Sequence, residues 1–228
     1  MNVTTDIVFG LELDQPARGE GYRVNVDALH LARFARREGR IAKHAVDLGS
    51  GVGTVGLLLL RTGGAARVTL VEREPSMVAL CRSNVARNGV SGEARVLEGD
   101  VTNPELLLDA RADLVVSNPP FSPEGRGRVP RDAVRHAKVG PLEPFVVLAR
   151  RALAPRGRAC FVYPATETVR LFSTLRASGL EPKRIAFVHA RLTLPARVVL
   201  VEALPGKPGG LVVEPPWTDA GLGPNSAA

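Results

Sequence analysis

The tetrapeptide Asn118-Pro119-Pro120-Phe121 carries the most specific chemistry in the sequence. An amine conjugated to a ring, or an amide nitrogen, is a weak nucleophile because its lone pair is delocalised. Two hydrogen-bond acceptors can draw its hydrogens out of plane and localise that pair. The Asn118 side-chain oxygen and the Pro119 carbonyl form such a pair, and the two prolines fix where the carbonyl points. Phe121 offers a flat face on which an acceptor base can stack. No metal or strong base is required, because the proton can leave after group transfer. An Asn-Pro turn is common at strand ends. Its place after the apolar run 113–117 is what points to chemistry, because ligands bind beyond the carboxyl ends of such strands.

A second constellation lies upstream, in Asp47-Leu48-Gly49-Ser50-Gly51-Val52-Gly53-Thr54-Val55-Gly56. Its glycines allow a sharp turn and close approach of a ligand to the backbone, at the start of a helix whose N–H groups are unpaired. Gly51, Gly53 and Gly56 also fit the dinucleotide pattern G-x-G-x-x-G, a weak match taken alone. Asp47 suits a cationic, amine-bearing ligand such as S-adenosylmethionine better than a dianionic pyrophosphate. Glu72 ends the next apolar run, where a carboxylate can accept from both hydroxyls of a ribose. Asp100 follows the third run and is placed to accept from an adenine amino group, with Val101 against the ring. The bland alternative for Asp100 is a helix cap.

These residues need a scaffold. Apolar runs at 45–48, 67–72, 94–99, 113–118, 158–163, 184–189 and 197–202 predict strands. Helical spacing falls at 26–38, 53–61, 75–88, 142–154 and 166–178, with a short helix near 104–109. Pro75 fits a first helical turn and Gly179 a helix end. Alternation of this kind predicts an α/β fold with helices on both faces of a mostly parallel sheet. The last two strands are joined only by residues 190–196, so the seventh is expected to be antiparallel. This order of strands resembles the Rossmann-like pattern of class I methyltransferases. Residues 1–204 are expected to form one domain, with a lead-in and helix over 1–40, extended to residue 25. The Pro/Gly-rich residues 205–228 are expected to be a loosely packed tail, with one extended piece at 211–214.

Composition bounds the function. The 228 residues include two cysteines and four histidines, too few for a zinc cluster or disulfide framework. The longest apolar run, 55–60, is far shorter than a membrane span, and the first residues lack the pattern of a signal peptide, so a cytoplasmic protein is expected. Thirty Lys+Arg against 23 Asp+Glu give a net charge of +7. A polyanionic partner and the Arg-rich bias of a GC-rich genome both produce such a surplus. Its placement separates them in part. Arg126, Arg128, Arg131, Arg135 and Lys138 follow the Asn-Pro-Pro-Phe tetrapeptide, where a loop can track phosphates. Arg33, Arg36, Arg37, Arg40 and Lys43 form a second basic run, which a solvated helix face explains equally well.

The runs VDLGSGVGTVG, LVERE, GD at 99–100 and VSNPPF resemble the amino-methylating class I methyltransferases with an N-P-P-aromatic motif. Further stretches resemble the bacterial tRNA1(Val) adenine-N6 methyltransferase family. These are Gln15, residues 21–28 (GYRVNVDA), Ala86-Arg87-Asn88-Gly89, Arg135-His136, residues 153–158 (LAPRGR) and residues 196–202 (ARVVLVE). The resemblance runs from about residue 8 to 204. It implies N6-methylation of an adenosine beside the anticodon of a tRNA, with S-adenosylmethionine as cofactor and no metal or obligate protein partner. It also implies that Arg23 and Asp27 help to close over the cofactor, and that Arg73 borders its site beside Glu72. Phe121 stands where this family often has Tyr, and the ending after Leu204 is reduced. Three rival readings use the same residues differently. One is a protein glutamine-N5 methyltransferase, one a nicotinamide-dependent oxidoreductase built on Gly51, Gly53 and Gly56, and one a non-catalytic RNA-binding relative.

Overall fold

The computed structural model describes residues 2–21, 23–120 and 140–222. The main sheet contains seven long strands: β3 (Ala45–Leu48), β4 (Val68–Glu72), β5 (Ala94–Glu98), β6 (Ala112–Ser117), β7 (Leu153–Pro164), β8 (Leu180–His189) and β9 (Ala196–Pro205). Their spatial order is β5-β4-β3-β6-β7-β9-β8. All neighbours are parallel except at β9, which runs antiparallel between β7 and β8. The expected sheet, with its last strand reversed, is therefore the one observed.

Alternation along β6 shows how the strands specify two cores. Leu114 and Val116 face one apolar layer, with Leu31 and Phe34 of α1 (Val26–Ala35) and Leu57 of α2 (Thr54–Arg61). Val115 faces the other, with Val146 and Leu148 of α4 (Glu143–Ala152) and Leu171 and Leu175 of α5 (Thr168–Ala177). Burial on both faces is why the strands read as unbroken apolar runs. The helix α3 (Pro75–Arg87) completes the first layer through Cys81 and Val85. Among the described residues, each of the five α-helices has arginine in its last turn: Arg33, Arg61, Arg87, Arg150 with Arg151, and Arg176. Among the described residues no helix is long and apolar enough to cross a membrane.

Three expectations are corrected. The lead-in is not simply extended: β1 (Val3–Val8) and β2 (Leu11–Pro16) form an antiparallel hairpin. Its two-residue turn, Phe9-Gly10, has positive φ at both positions, 49° and 76°, the geometry that matches strand twist. Residues 104–109 form no helix. Their N–H groups bond three residues back, as in Leu106 to Asn103 and Ala110 to Leu107, so the segment is a chain of turns holding Leu106 and Leu107 on the core. The tail, largely exposed, is attached at two places rather than loose: the extended piece expected at 211–214 is present, and a second piece follows it. Val212–Val213 (β10) and Trp217–Thr218 (β11) both pair in parallel with β8.

The basic run after α1 is partly committed. Glu202 of β9 is fully buried and forms ion pairs with Arg37, with Arg184 at 3.2 Å and with Arg158 at 3.7 Å. Arg158 and Arg184 also donate to the carbonyls of Ala35 and Phe34, at 2.8 and 2.6 Å. These bonds satisfy the carbonyl end of α1 with positive charge. Arg36, Arg40 and Lys43 remain exposed.

Candidate functional site

Strand register brings the chemistry to one edge. Leu48 is opposite both Val71 and Ser117, and Glu72 is opposite Glu98. The residues following β3, β4, β5 and β6 therefore all emerge at the carboxyl edge of the sheet. The glycine loop follows β3, Glu72 closes β4, Asp100 follows β5 and Asn118 follows β6.

Gly49, Gly51 and Gly53 all have positive φ, 70°, 56° and 92°, so the loop requires residues without a side chain. The N–H groups of Gly49 and Ser50 both donate to the Val71 carbonyl at 2.9 Å, which pins the loop to β4. Gly56 serves packing: a Cβ there would lie 2.3 Å from Leu70 Cδ2. This close helix–strand approach explains the G-x-G-x-x-G match without a dinucleotide.

Gly53 is the N-cap of α2 and has no side chain with which to cap it. Asp47 does this work from below. Its Oδ2 accepts the Gly56 N–H at 3.0 Å, and the residue is only 1% exposed. Burial raises its pKa to about 7, opposed by the Gly56 bond and reinforced by the charge of Glu72. Asp47, an expected cofactor contact, holds the start of α2 through the Gly56 bond.

Glu72 lies at the mouth of the loop. Its Oε2 accepts from the Gly51 N–H at 2.9 Å, and its Oε1 from the N–H groups of Arg73 and Glu74, both at 2.9 Å. The Gly99 N–H donates to the Glu72 carbonyl at 2.9 Å, which brings Asp100 alongside. Asp100 Oδ1 accepts from Thr102 N–H at 2.8 Å, and its Oδ2 lies 3.4 Å from exposed Arg73. These contacts, led by the Thr102 bond, hold the Asp100 carboxyl below its ordinary range. Val101 is half-buried against the second core.

At the end of β6, the Ser117 hydroxyl donates to the Leu48 carbonyl at 2.9 Å. This bond couples the strand that presents Asn118 to the strand that enters the glycine loop. Asn118 is half-buried, Pro119 is buried and Pro120 packs against Gly140, where a Cβ would lie 3.0 Å from Pro120 Cγ. Phe121, Arg126, Arg128, Arg131, Arg135 and Lys138 lie outside the described residues.

The structure adds two residues that the sequence reading missed. Phe145 of α4 covers Gly49, its Cε1 3.0 Å from where a Cβ would stand. Asn84 of α3 is fully buried and its Nδ2 donates to the Val52 carbonyl in the glycine loop. Arg23 and Asp27 are placed differently from each other. Arg23 bonds Thr4, Asp6 and the Pro16 carbonyl, so it braces the hairpin. Asp27 is 5% exposed, in the first turn of α1, and pairs with Arg197. The neighbour that reaches the loop is Val24, which packs against Val52, Met77 and Leu80.

Neither cysteine is poised as a nucleophile. Burial pushes Cys81 and Cys160 each to about 12, and both are free thiols. Among the described residues no group of three His, Cys, Asp or Glu side chains is arranged to hold a metal.

The segment 27–170 matches the family model of the methyltransferase small domain. A tRNA1(Val) (adenine(37)-N6)-methyltransferase of Porphyromonas gingivalis is 31% identical over 167 residues, covering 70% of this chain and 66% of that relative. The chain thus spans just under two thirds of the relative's length. A release factor glutamine methyltransferase of Mycolicibacterium smegmatis is 37% identical over 145 residues, 59% of this chain and 50% of that protein. Among solved structures, TYW2 of M. jannaschii in complex with AdoMet aligns with a TM-score of 0.57 at 15% identity, covering 88% of this chain and 84% of the other. The family match takes in α1, the glycine loop, both acidic strand ends and Asn118-Pro119-Pro120, and on that extent the chain belongs to the methyltransferase small domain family.

Proposed function

We propose that this chain is an S-adenosylmethionine-dependent methyltransferase that modifies the N6 amine of an adenosine in tRNA. The observation that carries the reading is the Ser117–Leu48 bond, which sets the Asn118-Pro119 acceptor pair next to the glycine loop. The residues present fit the cofactor: a loop where, among the described residues, a Cβ on Gly51 would meet only Met77 at 3.7 Å, and a carboxylate, Glu72, at its rim. When bound, S-adenosylmethionine supplies a methyl group on a cationic sulfur.

The chain prepares the amine. Asn118 Oδ1 and the Pro119 carbonyl accept hydrogen bonds from its two N–H groups and localise its lone pair, and Phe121 stacks the base once it has left its stack in the tRNA. On the cofactor, Glu72 accepts from the ribose through the lone pair its three backbone bonds leave free, Asp100 accepts from the adenine amine, and Val101 packs on the adenine ring. Arg126, Arg128, Arg131, Arg135 and Lys138 hold phosphates. The similarity to the Porphyromonas relative supports tRNA as substrate and an adenine amine as acceptor.

A glutamine side-chain amide is the second reading, supported by the 37% identity to a release factor glutamine methyltransferase. The two are separated by one experiment. Purified protein is given labelled S-adenosylmethionine with unmodified tRNA or with a glutamine-bearing release-factor fragment. Label in N6-methyladenosine is expected. Label only in the fragment would replace the substrate, and label in neither would overturn the proposal. Asn118→Ala should abolish transfer yet retain cofactor binding; loss of binding would assign Asn118 the wrong role.

A further inference from the structure

The described end of the chain folds back on α1. Trp217, the one tryptophan in the sequence, has its ring centroid 6.0 Å from that of Phe34 and 6.1 Å from that of His30. The Arg33 guanidinium lies 5.0 Å from the same ring. Two residues on, Asp219 lies 2.9 Å from His30 Nε2 and accepts from Arg197 Nη2 at 3.1 Å. The other terminal nitrogen of Arg197 donates to Asp27. One guanidinium at the start of β9 thus joins the tail to the first turn of α1.

That first turn leads to the glycine loop. Asn25 caps α1, and its Nδ2 lies 3.3 Å from Asp27 Oδ2. The next residue back, Val24, packs on Val52, between Gly51 and Gly53. Its N–H donates to Gln15 Oε1 at 2.9 Å, so β2 holds it from the other side. The carboxylate of Asp27 is nearly sealed from solvent and depends on a cation at this place.

We propose that residues 212–222 act as a clasp that holds the lead-in against the cofactor loop, with Arg197 as the positioning residue between them. The inference rests on the cofactor site proposed above. When Asp219 holds one side of the Arg197 guanidinium, the other side stays on Asp27, and Val24 stays over Val52. Release of the tail frees Arg197 to turn outward and leaves Asp27 without its second anchor.

Trp217 gives a readout that needs no catalysis. In ligand-free full-length protein, Asp219→Asn and Arg197→Ala should each shift its emission to the red. Each should also raise the dissociation constant for S-adenosylmethionine by about tenfold, a usual size for coupling between two sites. Arg197→Lys keeps the charge but not the two-sided grip, and should fall between Ala and wild type. Coupling is reciprocal, so saturating cofactor should move the Asp219→Asn emission back toward the wild-type position. Unchanged affinity in variants whose emission has shifted would overturn the clasp alone. Unchanged emission in both variants would show that Arg197 and Asp219 do not hold the tail, and would also overturn it. A wild-type protein that binds no cofactor would remove the site on which the inference stands.

Discussion

The side-chain amide of Asn84 donates to the Val52 carbonyl at 3.0 Å. The same Nδ2 donates to the Asp14 carbonyl at 3.0 Å, and Oδ1 accepts the Asp14 N–H at 2.7 Å. A single buried amide therefore stitches hairpin, helix and glycine loop together. Asn84→Ala would strand three backbone groups in a buried place. The expected loss is about 3 kcal/mol, at roughly 1 kcal/mol or more per unsatisfied group. Urea unfolding measures it, and a loss below about 1 kcal/mol would mean that water or the hairpin backbone replaces the amide.

Glu72 is bonded to three backbone N–H groups, those of Gly51, Arg73 and Glu74. Glu72→Gln keeps the shape but removes the charge and one acceptor. Hydrogen bonds to charged groups contribute about 1.5–3 kcal/mol, so cofactor affinity should fall by about 10- to 100-fold in calorimetric titration. An unchanged affinity would place the ribose elsewhere.

Asp47 makes stability depend on pH in an unusual direction for a carboxylate. Its pKa rises from 3.8 to about 7 on folding, with burial the main cause. The folded chain thus keeps a proton that the unfolded chain releases. This group's contribution is full below pH 3.8 and is lost as pH climbs toward 7. Asp47→Asn removes the titration while keeping an oxygen for Gly56. Wild type should lose stability relative to this variant between about pH 4 and 7, then run parallel to it. Melting curves across that range test the sign, and a constant difference would sink the argument.

Two glycines of one loop should fail in different ways. A Cβ on Gly56 would sit 2.3 Å from Leu70 Cδ2 and 2.9 Å from Val68 Cγ2. Gly56→Ala should destabilise the fold by about 1–3 kcal/mol through overpacking, despite alanine's better helix propensity. On Gly51 the nearest atom would be Met77 Cε at 3.7 Å, with φ at +56°. Gly51→Ala should cost only about 1 kcal/mol of backbone strain but weaken cofactor binding. Denaturation and binding measured on both variants would expose any reversal of that order.

The parts of this molecule that were legible in the sequence share a property: they are local. Apolar runs marked β3 to β9, most of them buried on two faces, and the clustered glycines marked the turn after β3. The hairpin escaped because most residues of β1 are exposed and its turn puts Phe9, not Asn or Asp, at positive φ. Asn84 could have been found. It shares the buried face of α3 with Met77, Cys81 and Val85, and a polar residue on such a face needs partners. The link from the Glu202 cluster to α1 could not, because it joins elements more than a hundred residues apart, as in Arg37 with Glu202 and Arg158 with Ala35. The docking of Trp217 onto α1 is non-local in the same sense.

The arginines that close the five described α-helices alter how the surplus charge should be counted. For α2 to α5, each set between parallel strands, these side chains lie at the edge where strands begin, away from the glycine loop. There the unpaired carbonyls concentrate negative partial charge. Six of the chain's basic groups stand at such helix ends, and two of them are already held by carboxylates: Arg87 by Glu12 and Asp14, and Arg176 by Glu181. A salt titration of RNA binding counts only cations that exchange mobile ions for phosphate. Its slope should therefore report a footprint much smaller than the composition advertises, drawn from the face that carries Asn118.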